Sequence, residues 1–160
     1  PLMDQPELPW GILGTAQIAR KNWRAIRNSG NATVAAVASR SLDRSRRFIG
    51  ECQADVPMPI MPQSFGSYEE LLHSKDIQAV YIPLPTGLRK EWVIRAARAG
   101  KHILCEKPCA VTTADLREML DVAARHGVKA ATELFPMSKA NEAIEKVKKS
   151  KVRYRAVLAN

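Results

Sequence analysis

Between Pro9 and Gly127 the chain alternates five times between a short apolar run and a longer amphipathic stretch. No other feature limits its fold as tightly. Short unbroken apolar runs suit strands buried on both faces, and the stretches between them suit helices laid across those faces. Repeated strand–helix units imply parallel strands joined by crossovers. The expected fold class is therefore α/β, a doubly wound parallel sheet.

The first strand is expected at Pro9–Gly14, "PWGILG", with a helix in "QIARKNWRAIRNSG" that stops at Gly30. Ile18, Trp23 and Ile26 fall at helical spacing there. A buried strand at Thr33–Ser39 and a basic helix, "LDRSRRFIGECQA", follow. The proline-broken "VPMPIMPQSFGS" holds a short strand around Ile60 and Met61. Ser67 and Glu70 form an S-x-x-E capping box for a brief helix. Next come a strand at Gln78–Pro85, the helix "LRKEWVIRAARAG", the strand "KHILCE" and the helix "TTADLREMLDVAARHG", capped by Thr112 or Thr113. A strand near "KAATEL", the helix "SKANEAIEKVKKS" and the strand "RYRAVLA" close the chain. Residues 1–128 are expected to form the main domain, with residues 129–160 as a strand–helix–strand tail completing it.

Composition excludes several classes. No apolar run approaches bilayer-spanning length, and "PLMDQPELPW" lacks the basic start and apolar stretch of a secretory signal. A chain that opens on Pro1 implies a missing initiator or short leader. Three cysteines without C-x-x-C spacing and three scattered histidines argue against disulfides and a metal site. A reducing, cytoplasmic setting is expected. The net charge of +9 gathers in Ser39–Arg47 and Lys146–Arg155. Tyr154 alone offers a stacking ring in the second run, which argues against nucleic acid and for a solvated helix end.

Chemistry is concentrated at three strand ends. In "GILGTAQIA", Gly14, Ala16 and Ala19 occupy the three small-residue places of a G-x-G-x-x-G/A turn. A helix N-terminus beyond such a turn presents N–H donors and a positive dipole end to a pyrophosphate. The second strand ends in Ser39, Arg40 and Ser41, with Arg44 one helical turn on and no acid at the tip. An acid there would accept from a ribose 2′-hydroxyl, whereas guanidinium and hydroxyl donors suit a 2′-phosphate, favouring NADP over NAD. A plain tight turn and an arginine-coated helix face are the alternative readings of these two stretches. The third end is "GKHILCEKPCAV", where Glu106 and Lys107 stop on Pro108. A positioned ammonium stabilises oxygen that gains negative charge, or delivers a proton to it. Pro108 holds Lys107 extended, and a cis bond would sharpen the turn. A structural ion pair is the alternative.

The strings "WGILGTAQIARK", "VAAVASRS", "SYEELLHSKDIQAVYIPLP" and "EWVIRAARAGKHILCEKP" resemble the Gfo/Idh/MocA oxidoreductase family from Trp10 to about Val128. The resemblance implies an NAD(P)-binding Rossmann-type domain, followed in the family by a substrate domain. It implies that Gly14, Thr15, Ala16, Gln17 and Ile18 hold pyrophosphate and that Ser39, Arg40, Ser41 and Arg44 hold the adenosine end. It places Pro83, Leu84, Pro85 and Thr86 along the cofactor groove, with Glu106 and Lys107 at the reacting end. Lys107 would touch a substrate hydroxyl or carbonyl. Arg89, counted with the cofactor-binding residues, stands where the family pattern has histidine, so the contact it makes is left open. After Val128 the chain instead resembles the C-terminus of medium-chain alcohol dehydrogenases, in "SKANEAIEKVKKS" and "VRYRAVL", without that family's zinc cysteines. This implies a fusion or engineered chimera in which the second, substrate domain is absent.

The expected function is an NADP-binding domain of a sugar- or diol-type dehydrogenase, incomplete for turnover by itself. A polyol, sugar or diol would bind only with a second domain supplied, and homo-oligomerisation stays open. The alternative is a non-catalytic recombined or engineered scaffold.

Overall fold

A computed structural model of the chain describes residues 7–128, 132–149, 151–152 and 156–159. The chain divides into two compact units, Pro1–Val128 and Lys129–Asn160. Strands β1 (Leu8–Leu13), β2 (Ala32–Ala38), β3 (Gln63–Phe65), β4 (Ala79–Ile82) and β5 (His102–Cys105) build the first unit. Helices α1 (Gln17–Asn28), α2 (Leu42–Asp55), α3 (Tyr68–His73), α4 (Thr86–Arg98) and α5 (Thr113–Arg125) alternate with or follow them. The sheet runs β3-β2-β1-β4-β5, and every neighbouring pair is parallel. This is the α/β architecture expected from the alternation.

Strand alternation sends successive side chains to opposite faces, and each face has its own core. Ile12, Val37 and Tyr81 join Trp23 and Phe48 on the face covered by α1 and α2. Leu13, Ala38, Val80 and Ile82 join Leu71, Trp92 and Met119 on the other. Trp23 is the largest fully buried side chain. Its indole N–H donates to the Val56 carbonyl at 2.8 Å, so burial strands no polar atom.

The short third strand lies later than expected. Ile60 and Met61 are 80% and 66% exposed, while Gln63–Phe65 pair with Ala36–Ala38. Pro57, Pro59 and Pro62 lack backbone donors, so the ladder begins only once the last proline is passed. The caps are as expected, and the choice between the two threonines resolves to Thr112. Ser67 accepts from the Glu70 N–H, and Thr112 accepts from the Asp115 N–H. The Glu70 carboxylate reaches back to the Gly66 N–H at 3.3 Å.

In the second unit, β6 (Glu133–Pro136) and β7 (Ala156–Ala159) pair parallel as a separate two-stranded sheet. A 3-10 turn, Met137–Lys139, leads into α6 (Ala140–Lys148). Residues 129–131 and 153–155, where the sequence reading begins its two tail strands, lie outside the described residues. Phe135 and Ala143 are buried, and the Lys146 ammonium sits 5.0 Å above the Phe135 ring. Lys146, Lys148 and Lys149 pair with Glu142 and Glu145. Much of the basic run is thus matched by acids on its own helix. No helix among the described residues is long and apolar enough to cross a membrane.

Candidate functional site

Parallel register turns five distant points of the sequence into one line. Leu13 pairs with Ala38, Ala38 with Phe65, and Ile82 with Cys105. Gly14, Ser39, Gly66, Pro83 and Glu106 therefore leave the sheet at the same edge. Backbone bonds carry the alignment one residue further. The Gly14 N–H donates to Ala38 O at 2.8 Å, and the Glu106 N–H donates to Ile82 O at 3.2 Å. From β1 the chain winds outward through β2 and β3, then returns to β4 and β5 on the other side. The crevice between β1 and β4 is the topological switch point, where open α/β sheets bind ligands.

A cleft of about 230 Å³ lies there. Gly14, Thr15, Ala16, Ser39, Arg40, Arg44, Tyr68, Pro83, Leu84 and Pro85 line it. Gly14 has φ +105°, and an added Cβ would lie 2.9 Å from Leu84 Cδ2. Both the backbone conformation and the close approach require glycine. Among the other residues singled out from the sequence, Gln17 and Ile18 are exposed in the first turn of α1. Ser41 is the N-cap residue of α2, and Thr86 opens α4. These four do not line the cleft, and neither do Arg89, Glu106 and Lys107.

The lining contains no acid. Arg40 and Arg44 are exposed and, among the described residues, form no ion pair, whereas Arg24 and Arg95 are matched by Asp55, Glu69 and Glu91. The helix ends follow the same division. α1 and α4 begin at the cleft with no side-chain cap and no acid in the first turn. α3 and α5 are capped and carry acids. Free N–H donors and unmatched guanidiniums converge on one space, an arrangement suited to a polyanion. A further recess of about 170 Å³, shared through Thr15 and Arg44, extends toward Arg20 and Arg47.

The Glu106–Lys107 pair is not an ion pair. Glu106 Oε1 accepts from the Tyr81 hydroxyl at 2.6 Å and from Asn22 Nδ2 at 3.5 Å. Its other oxygen accepts from the Lys107 N–H at 3.3 Å. The Tyr81 hydrogen bond is the main cause that holds the Glu106 carboxyl below the usual carboxylate range. Burial first, then the bond to Glu106, push the Tyr81 phenol up, so it stays a donor. Lys107 is exposed, and its ammonium has no ion-pair partner among the described residues. The Lys107–Pro108 bond is cis. Arg89 is buried beneath this turn and donates from Nε to Leu84 O at 2.6 Å. Its Nη1 donates to Glu106 O at 3.1 Å and to Pro108 O. Burial pushes the neighbouring Cys105 thiol up to about 11, which keeps this thiol protonated at neutral pH.

Tyr81→Phe tests the Glu106 anchor. A depressed folded pKa gives stability that is present above the unfolded value, about 4.3 for glutamate, and lost as pH falls through the folded value. Removing the hydroxyl is expected to destabilise the protein by about 1 kcal/mol at pH 7, discounted because Glu106 is only partly buried. The gap to wild type should shrink below pH 4. Urea unfolding at both pH values measures it, and a gap that stays constant would exclude this coupling.

Tyr68, Tyr81 and Asn22 escaped the sequence reading. Tyr68 sits inside a capping motif, Tyr81 inside an apolar strand and Asn22 inside an amphipathic helix. Each pattern already accounts for its residue locally. A polar tip on a ring at a strand or helix end was the only available signal.

The sequence and fold match known proteins over the same part of the chain. A family model described as GFO_IDH_MocA, an oxidoreductase family with an NAD-binding Rossmann fold, matches residues 8–134. An uncharacterized oxidoreductase ORF334 of Rhizobium meliloti is 44% identical over 119 residues, covering 74% of this chain and 34% of the relative. The D-xylose 1-dehydrogenase (NADP(+)) 2 of Haloferax volcanii is 38% identical over 119 residues, with the same coverages. Among solved structures, KijD10, a 3-ketoreductase from Actinomadura kijaniata in complex with NADP, superposes with a TM-score of 0.68 at 34% identity. That match covers 76% of this chain and 37% of the ketoreductase. The chain spans about a third of the length of the curated relatives it matches.

Proposed function

The chain belongs to the Gfo/Idh/MocA family of oxidoreductases, and from that premise we propose that residues 1–128 bind NADP(H) for a sugar- or diol-type dehydrogenase. The acid-free cleft at the switch point carries this reading. Gly14 turns the chain at the cleft with φ +105°, and Thr15 and Ala16 lead into the uncapped α1 N-terminus, where a pyrophosphate would meet free N–H donors. Ser39, Arg40 and Arg44 supply hydroxyl and guanidinium donors suited to a 2′-phosphate, where an NAD site would place an acid. The relatives' NADP usage supports the same choice.

Bound NADP(H) supplies or accepts the hydride. Lys107 stabilises negative charge on the substrate oxygen and passes a proton to or from it at Nζ. Glu106 is anchored to Tyr81, and with Arg89 it holds the turn from which Lys107 projects. A substrate-holding half, of the kind the longer relatives have room for, completes the site. The three cysteines are free thiols, which supports a reducing, cytoplasmic compartment. Residues 129–160 we read as an appended segment resembling the end of a medium-chain alcohol dehydrogenase, a reading supported by its separate strand pairing.

Thermal unfolding of the chain with each of NADPH, NADP, NADH and NAD tests the proposal. Ligand at a hundred times its Kd stabilises by about 2.7 kcal/mol, a clear rise in Tm. NADPH is expected to give that rise and NADH a much smaller one at equal concentration. If none of the four moves the Tm, the cofactor role is lost and a non-catalytic scaffold is the better description. Robust turnover of a simple sugar or diol by this chain alone would overturn the requirement for a second half.

A further inference from the structure

Tyr68 carries a hydroxyl that no local feature explains. It is the first residue of α3, directly after the capping Ser67, and is 7% exposed. Its ring packs edge-on against Trp92, with centroids 4.8 Å apart, within the core between the sheet and α4. Nothing in that packing needs an oxygen, and phenylalanine would fill the same space. Among the described residues the hydroxyl has no hydrogen-bond partner, although other buried polar tips do, such as those of Trp23, Tyr81 and Lys101. The oxygen reaches the cleft instead. It lies 3.9 Å from where a Cβ on Gly14 would sit, and Tyr68 lines the cleft beside Ser39, Arg40 and Arg44.

The geometry points to the Tyr68 hydroxyl as a specificity-determining donor to the 2′-phosphate of the adenosine ribose, an inference that rests on the NADP reading. A phosphomonoester dianion has three oxygens that each accept more than one hydrogen bond, so it has room for a further donor beside two exposed arginines and one serine. The phenol approaches from the α3 side on a ring already locked by Trp92, so little side-chain entropy is lost on binding. Burial raises the Tyr68 phenol above its ordinary value, against the smaller opposing effect of Arg40 and Arg44. The group therefore stays protonated and donates at neutral pH. A phenol in this position offers no comparable gain to a cofactor that ends in a 2′-hydroxyl.

Tyr68→Phe keeps the ring against Trp92, so its fold is checked by an unchanged thermal transition. Calorimetric titration of the 160-residue chain with 2′,5′-ADP and 5′-AMP separates the phosphate from the rest of the nucleotide. The variant is expected to bind 2′,5′-ADP about tenfold more weakly, the value of one hydrogen bond to a charged acceptor, with 5′-AMP unchanged. Equal weakening of both nucleotides would overturn the 2′-phosphate assignment and place the hydroxyl on the part they share, the base, ribose or 5′-phosphate. Wild-type affinity for both, while Arg40→Ala loses 2′,5′-ADP selectively, would overturn the role of Tyr68 and leave NADP recognition standing. Wild-type protein that fails to prefer 2′,5′-ADP over 5′-AMP would remove both readings together.

Discussion

Arg89→Ala is expected to lower the unfolding free energy by about 3–5 kcal/mol, the largest stability loss of any single change at the site. The side chain is 8% exposed and donates to three backbone carbonyls, those of Leu84, Glu106 and Pro108. Each of those carbonyls has left its strand and has no ladder partner beyond it. Truncation takes the donor from the buried Leu84 carbonyl and the half-buried Glu106 carbonyl, frees the exposed Pro108, and opens a cavity, and these penalties act together. Arg89→Lys should recover only part of the loss. One ammonium on a flexible stem cannot reproduce a planar fork that serves two loops at once. Because those loops are Pro83–Pro85 and Glu106–Pro108, NADPH affinity should fall with stability. Urea unfolding measures the first effect, with Arg117→Ala on exposed α5 as a control expected within about 0.5 kcal/mol of wild type. An Arg89→Ala protein as stable as that control would show that the guanidinium does not tie the loops together.

The second large effect is on binding. Arg40→Ala combined with Arg44→Ala is expected to weaken NADPH binding about a hundredfold and to leave NADH nearly unchanged. Two charge-assisted hydrogen bonds to a phosphate, discounted for solvent exposure, amount to about 2.7 kcal/mol, which is that factor. The wild-type preference should narrow as salt rises, because both arginines are exposed and screened. Arg46 makes the control, since it lies on the same helix at 4.0 Å from Asp43. Its replacement by alanine is expected to change neither affinity. A double variant that still prefers NADPH would move 2′-phosphate recognition away from the end of β2.

Most of the fold was legible because its causes are local. Apolar runs of strand length, helical spacing of Ile18, Trp23 and Ile26, and the S-x-x-E cap at Ser67 each act within a few residues. The short β3 was misplaced for the same reason. "MPIMP" looks apolar enough for a strand, but the prolines that break it decide where pairing can begin, and the partner is β2, distant in sequence. Ser39, Arg40 and Arg44 were legible as a basic, acid-free strand end because residue type and strand-end position coincide, and the structure brings them to one cleft. Tyr68 was not, and Arg89, although singled out, was not legible as a donor to the Leu84, Glu106 and Pro108 carbonyls. A tyrosine in a capping motif and an arginine on a helix have satisfactory local explanations, and their partners lie on other elements.

By itself the sequence determined the parallel α/β plan, the glycine turn after β1, the basic end of β2 and the charged, proline-stopped end of β5. These follow from periodicity and side-chain chemistry, which a short stretch of chain carries alone. Only the tertiary structure decided what the Glu106–Lys107 pair is. Opposite charges next to each other in sequence suggest mutual neutralisation. The sheet register instead brings Tyr81 up against the carboxylate, and Asn22 of α1 adds a second, longer contact. A hydroxyl held 2.6 Å away and the Lys107 backbone N–H satisfy Glu106 without the lysine ammonium, which is left exposed and without an ion-pair partner among the described residues. Hydrogen-bond partners separated by 25 and 84 residues are set by packing, which no local pattern encodes.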